Sequence, residues 1–392
     1  MDHFLSIIAI LLSTRISTTF VHEMGHALAG MILFGGDFDI YIGSFGQSKK
    51  GLSIRLGRLR FYIKYDPFLW NHGVVMSSKT EHISWLRNFM FILGGPLASL
   101  VLAVTCLIFI QSNSVELFTF VWWLLAVLIV SAFWDFIINL KPNPYPIILH
   151  GGSITYNDGQ SLRNLLRIRP IYEDFILLGE YYQEGGITKV IHEIRELYNQ
   201  KKHPDLLRQG IAYYLWEKNY EKVEEMYKEL QEVSTLSSDD LCGYGYVLSL
   251  TGRHAEAMEF YNQSIKIQPY HFVSLNNRGY ELNLLEQYEQ AIYDFNLVIY
   301  VNPYFAHAYN NRGLAKIKLG NLEEGLEDIK RSEELDPDNS YLYKNLGIYF
   351  LEKGDETQAM ENFHKARELD PETYGLTELV EELEGKVHDH GD

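Results

Sequence analysis

A chain of 392 residues has room for two or three folding units, and its 47% hydrophobic content is unevenly placed, with the long apolar runs all before about residue 140. The formal charge of -17 excludes nucleic acid as a partner, because the polar remainder shows no clustered Lys and Arg that would form a phosphate-binding face. Cys106 and Cys242 make no CxxC knuckle and read as core residues in a reducing compartment.

The first expected element is an apolar helix from Phe4 to Phe34, with Arg15 marking a bend or an interface. Its first 16 residues read as retained rather than as a cleaved signal, since no A-x-A site follows and cleavage would remove the start of the helix. Inside it lies VHEMGHA, with His22, Glu23 and His26. On a helix the two histidines share one face a turn apart, so they can bind one zinc ion, Zn2+, with Glu23 beside a metal-bound water. The pattern also fits two ordinary helix histidines flanking a glutamate. The apolar flanks favour a site, because three ionisable groups are costly in such a helix.

Residues 38 to 65 alternate apolar and polar positions between glycine turns, which predicts two to four short strands in a β-rich insertion. Two further apolar segments, 86 to 110 and 118 to 140, are each long enough to cross a bilayer. The first connection carries Lys49, Lys50, Arg55, Arg58, Arg60 and Lys64, whereas residues 111 to 117 carry no Lys or Arg. The positive-inside rule then puts the first connection and everything after Leu140 in the cytoplasm. The expected protein is multi-pass and integral to a bacterial cell membrane, with the lipid bilayer as one partner.

A catalytic zinc normally takes three protein ligands. Two carboxylates are candidates for the third: Asp135, near the end of the last apolar segment, and Asp158, after a proline-rich passage. Asp158 also reads as an ordinary helix cap, and Asp135 as a buried hydrogen-bonding residue.

HEMGH in one membrane helix, FILGGPLASL in the next, and Asn139 and Pro142 before the pair Asp158 and Gly159 together resemble the site-2 protease family of intramembrane zinc metalloproteases. The resemblance covers roughly residues 1 to 170. It implies His22, His26 and Asp158 as zinc ligands and Glu23 as the general base, hydrolysing peptide bonds in or near transmembrane segments of membrane protein substrates. Asn157 stands where family members often have leucine, and the insert after the proline is longer than theirs.

Beyond about residue 170 a repeat is visible. Pro269, Pro303, Pro337 and Pro371 keep a constant step, as do Gly245, Gly279, Gly313 and Gly347, and Ala257, Ala291, Gly325 and Ala359. This predicts stacked helix pairs and resembles the tetratricopeptide repeat. The expected organisation is therefore mainly α. A polytopic membrane core with its β-rich insertion occupies residues 1–170, a TPR-like solenoid 171–373, and a capping helix with a polar tail 374–392. Two functions compete: a metalloendopeptidase in regulated intramembrane proteolysis, whose cytoplasmic repeats recruit substrate or a regulatory protein or peptide, and a catalytically silent membrane scaffold that binds partners through the repeats. A zinc transporter would need intramembrane ligands beyond Asp135.

Overall fold

The computed structural model describes residues 2–44, 51–66, 73–78, 83–112, 115–117, 119–149 and 152–389. Lys49 and Lys50 of the orientation argument lie outside them. The chain divides into two compact units, Met1–Asp205 and Leu206–Asp392.

In the first unit the apolar runs form α1 (Asp2–Leu33), α2 (Trp85–Ser112) and α3 (Phe120–Leu140). Both α2 and α3 are long and apolar enough to cross a membrane. Their surfaces carry exposed Val101, Leu107, Ile108, Val130, Phe133 and Trp134, a density of apolar side chains that water covers poorly. The helices α1 and α2 cross with their backbones in contact: a methyl group added at Gly25 would lie 2.3 Å from the Gly94 carbonyl oxygen. Small residues at a crossing allow this approach. It brings the GGP segment of α2 directly against the histidine face of α1.

The β-rich insertion is present and extends beyond the expected range. Strands β1 (Phe38–Ile42), β2 (Gly51–Leu56), β3 (Leu59–Lys64) and β4 (Gly73–Ser77) form one mixed sheet in the order β2-β3-β1-β4. β1 runs parallel to β3 and antiparallel to β4. The alternation read from the sequence has a structural counterpart: Phe38, Ile40, Ile42 and Phe61 are buried together with Ala27 of α1, against Met24, Met31 and Phe91. The sheet is thereby fixed to the helix that carries the histidines.

After α3 the chain makes a two-stranded ribbon, β5 (Ile147–Ile148) with β6 (Ile154–Thr155), and enters α4 (Asp158–Arg167). A short 3-10 turn leads into α5 (Tyr172–Lys201), which is broken at Gly186.

Among the described residues eleven helices follow from α6 (Pro204–Trp216) to α16 (Leu376–Asp389), and six of them define the regular part of the second unit: α8 (Ser238–Leu250), α9 (His254–Ile267), α10 (Phe272–Leu284), α11 (Tyr288–Val301), α12 (Ala306–Lys318) and α13 (Leu322–Leu335). A further pair, α14 (Ser340–Glu352) and α15 (Glu356–Leu369), completes the step. The periodic glycines sit where the two helices of a pair touch. A Cβ at Gly245, Gly279 or Gly347 would lie within 2.7 Å of the Tyr261, Phe295 or Phe363 ring. Ala257, Ala291 and Ala359 are fully buried on the opposing helices.

A second device has the same period. Arg278 donates to both carboxylate oxygens of Asp294, each at 2.7 Å, and Arg312 does the same to Asp328 at 2.8 and 2.6 Å. Each arginine also reaches back to the preceding pair, to Asn262 and Asn296 respectively.

Lys344, on α14, is buried and donates to the Tyr374 carbonyl at 2.8 Å. Burial pushes its ammonium down to about 8, with Glu378 opposing the shift. Between pH 8 and 10.5 the unfolded chain therefore holds the proton more tightly than the folded one, so the strain of burying the charge is full below pH 8 and is relieved as pH rises. Raising pH from 7 to 9.5 is expected to stabilise the second unit by about 2 kcal/mol through this group. Urea unfolding at the two pH values checks this, and Lys344→Met should remove the increment.

Candidate metal centre and repeat face

His22 and His26 lie a turn apart on α1, as the spacing predicts, and the start of α4 brings Asp158 to them. His22 Nε2 is 3.0 Å from Asp158 Oδ2, His26 Nε2 is 3.3 Å from Asp158 Oδ1, and the two Nε2 atoms are 3.3 Å apart. Ligands about 2.0–2.1 Å from a tetrahedral zinc would be separated by about 3.3–3.4 Å. The three donors hold nearly that spacing.

The opposite ring nitrogen sets the His22 tautomer. His22 Nδ1 lies 2.8 Å from Asp135 Oδ2, and His26 Nδ1 lies 2.9 Å from the Phe91 carbonyl. The Asp135 carboxylate requires a proton on His22 Nδ1, which leaves the His22 Nε2 lone pair facing Asp158, whereas His26 Nδ1 lies between the Phe91 carbonyl and the Gly95 amide, which donates to it at 3.3 Å. A methyl group added at Gly95 would lie 2.3 Å from His26 Nε2 and 2.6 Å from His22 Nε2, so glycine keeps the space at the convergence point open. Donor chemistry, spacing and the open cradle together fit a divalent transition metal such as zinc.

Asp158 reaches this position because Asn157 takes the capping role. Asn157 Oδ1 accepts from the Gln160 amide at 3.1 Å and from Asn143 at 3.2 Å, while its Nδ2 donates to Lys141 O at 2.8 Å. The cap thus ties the start of α4 to the chain leaving α3, and Asp158 is left free to turn inward. A Cβ at Gly159 would lie 2.4 Å from the Leu140 carbonyl oxygen, so only glycine permits this approach.

A cavity of about 350 Å³ opens beside these donors, with His22, Glu23, His26, Gly73, Val74 and Asn139 in its wall. Glu23 is buried and lies against Gly73 of β4, where an added methyl would be 2.7 Å from Oε1. Strand β4, absent from the sequence expectation, is therefore part of the site. Asp135, the alternative third ligand, belongs to the other side of His22.

In the second unit one stripe of α12 makes the contacts with its inner neighbours. Asn283 Nδ2 donates to Asn311 O at 2.9 Å, and Asn345 Nδ2 to Asn310 O at 3.4 Å. Asn311 Nδ2 reaches Asn276 Oδ1 at 3.4 Å. Asn283 Oδ1, Asn345 Oδ1 and both amide atoms of Asn310 are buried without a hydrogen-bond partner among the described residues. Tyr280 and Tyr341 meet edge to face from α10 and α14, with ring centroids 6.5 Å apart.

The tetratricopeptide-repeat family model matches residues 241–271 and 306–339. No curated protein matches the chain. Among solved structures, MamA 41-end from Desulfovibrio magneticus RS-1 is similar at 26% identity over 44% of this chain and 97% of that one, with a TM-score of 0.36. A thermophilic TPR protein of Thermus thermophilus gives 19% identity, 46% and 97% coverage and a TM-score of 0.39. YrrB, described as a TPR protein with an unusual peptide-binding site, gives 18%, 48% and 97%, with a TM-score of 0.35.

The family match corrects the sequence reading. Membership of the site-2 protease family, and with it the description of the chain as a hydrolase, an intramembrane zinc metalloprotease and a metalloendopeptidase, is overturned: the matching family is the tetratricopeptide repeat. The reason is physical. Two histidines a helical turn apart with a neighbouring glutamate specify a place where a metal can sit, and that geometry does not by itself specify bond cleavage. The repeat assignment of the sequence reading stands.

Proposed function

We propose that the chain is a protein-interaction scaffold whose repeats hold a segment of a partner protein, with its apolar helices embedding the first unit in a membrane. The tetratricopeptide-repeat match over residues 241–271 and 306–339 carries this reading. Stacked helix pairs of this kind present an extended face suited to a peptide or protein segment. The basic residues Arg55, Arg58, Arg60 and Lys64 of the first connection support a multi-pass arrangement with the repeats on the cytoplasmic side.

The test uses the full-length chain in intact cells, with a photo-crosslinking amino acid at position 314 on the inner stripe or at position 323 on an outer helix. The expected result is one partner segment joined at 314, with no reaction of an impermeant external reagent at either position. Crosslinks from 323 alone would overturn the groove reading.

A second reading concerns the first unit. His22, His26 and Asp158 hold a divalent transition metal, with zinc the working identity and Asp158 as third ligand in place of Asp135. The convergence of two Nε2 atoms and one carboxylate supports it. A metal held there would join α1 to α4.

A further inference from the structure

His22 and His26 present the same nitrogen to the proposed metal, yet their far sides differ. Behind His26 are two neutral backbone groups, the Phe91 carbonyl and the Gly95 amide. Behind His22 is the carboxylate of Asp135, which is only 4% exposed. That carboxylate is itself anchored: Ser99 Oγ donates to the same Oδ2 at 2.7 Å, and Arg15 Nη1 lies 3.5 Å from Oδ1. Asp135 thus receives one side chain from each of α1 and α2 besides His22, and stands on α3.

We propose that Asp135 is a positioning residue for the metal centre, fixing the His22 ring and making His22 the stronger of the two imidazole donors. This inference rests on the metal-site reading. An imidazole free of such a partner can turn over or move its proton to Nε2, and either change removes the lone pair that faces Asp158. Asp135 opposes both changes, because its oxygen accepts only from a protonated Nδ1. Its negative charge also draws the Nδ1 proton and so raises the electron density available at Nε2. Arg15 balances that charge from the partly exposed end of the network. The Phe91 carbonyl can orient His26 but brings no net charge.

The alternative role is a mechanical tie among the three helices, and the two roles separate by experiment. Zinc affinity is measured by chelator competition on the detergent-solubilised full chain, alongside thermal unfolding of the metal-free protein. Asp135→Asn keeps the shape of the side chain and removes its charge. It is expected to weaken zinc binding by about 10–100-fold. Asp135→Glu, which restores the charge, should recover part of the loss, and Ser99→Ala, which leaves the carboxylate in place but loosens it, should give a smaller loss in the same direction. Unchanged zinc affinity in both Asp135→Asn and Ser99→Ala, with a lowered melting midpoint of the metal-free chain, would overturn the inference and leave only the mechanical tie. A wild-type chain that binds no zinc would sink the metal-site reading itself, whatever the variants do to stability.

Discussion

Asp158→Ala is expected to abolish zinc binding, with a loss larger than the about 10–100-fold that follows from disturbing a ligand's outer partner. The two histidines alone come from one helical turn and supply only two donors, whereas structural zinc takes four ligands and open sites normally take three from the protein. Asp158 is also the only ligand that arrives from α4. Glu23→Gln should leave zinc bound, because Glu23 lies in the cavity wall and is not among the three converging donors. Metal content of the purified full-length variants gives the answer directly. Full zinc in the Asp158 variant would show that the donor set has been misassigned.

Arg278→Met is expected to destabilise the second unit by about 1–3 kcal/mol, the cost of leaving a buried acceptor unsatisfied. The Asp294 side chain is 2% exposed, and Arg278 satisfies both of its oxygens. Its methionine replacement fills similar space without charge, so both Asp294 oxygens lose their donor. The equivalent change at Arg312 should cost less, because Lys316 also reaches Asp328, at 2.9 Å. Urea unfolding of both variants tests the order as well as the size. Equal losses would show that Lys316 contributes nothing to holding Asp328.

What the sequence made visible follows from what is periodic or local. The step from Gly245 to Gly347 exposed the helix pairs because each glycine meets one aromatic or apolar partner at a fixed separation, and the alternation at Phe38, Ile40 and Ile42 exposed a strand because these three side chains pack together against α1. His22 and His26 were legible as a pair because a single helical turn brings them together. Other features depend on contacts between distant segments. β4 has few residues and no polar alternation, and it becomes a strand only by pairing with β1. Nothing near Asn157 announces that it, rather than Asp158, caps α4, since that follows from its bonds to Lys141 and Asn143. Asp135 looked like a rival of Asp158 because sequence gives no sign of which nitrogen of His22 a carboxylate will face. The protease reading failed for a related reason: its motifs describe the neighbourhood of a metal, and three short motifs extended that neighbourhood to an activity.

The donors of the proposed centre are far apart along the chain, with the sheet, α2 and α3 all lying between His26 and Asp158. A metal held by them would act as a latch that closes a long loop, and its binding energy would belong to folding as much as to the site. The closing strand of that latch is the stretch from Lys141 to Asn157, whose described residues have little regular structure beyond the β5–β6 ribbon. Chelation would release it first. Cleavage of this stretch by an added protease would then report metal occupancy, turning the connection between α3 and α4 into a gauge of whether the first unit is locked or loose.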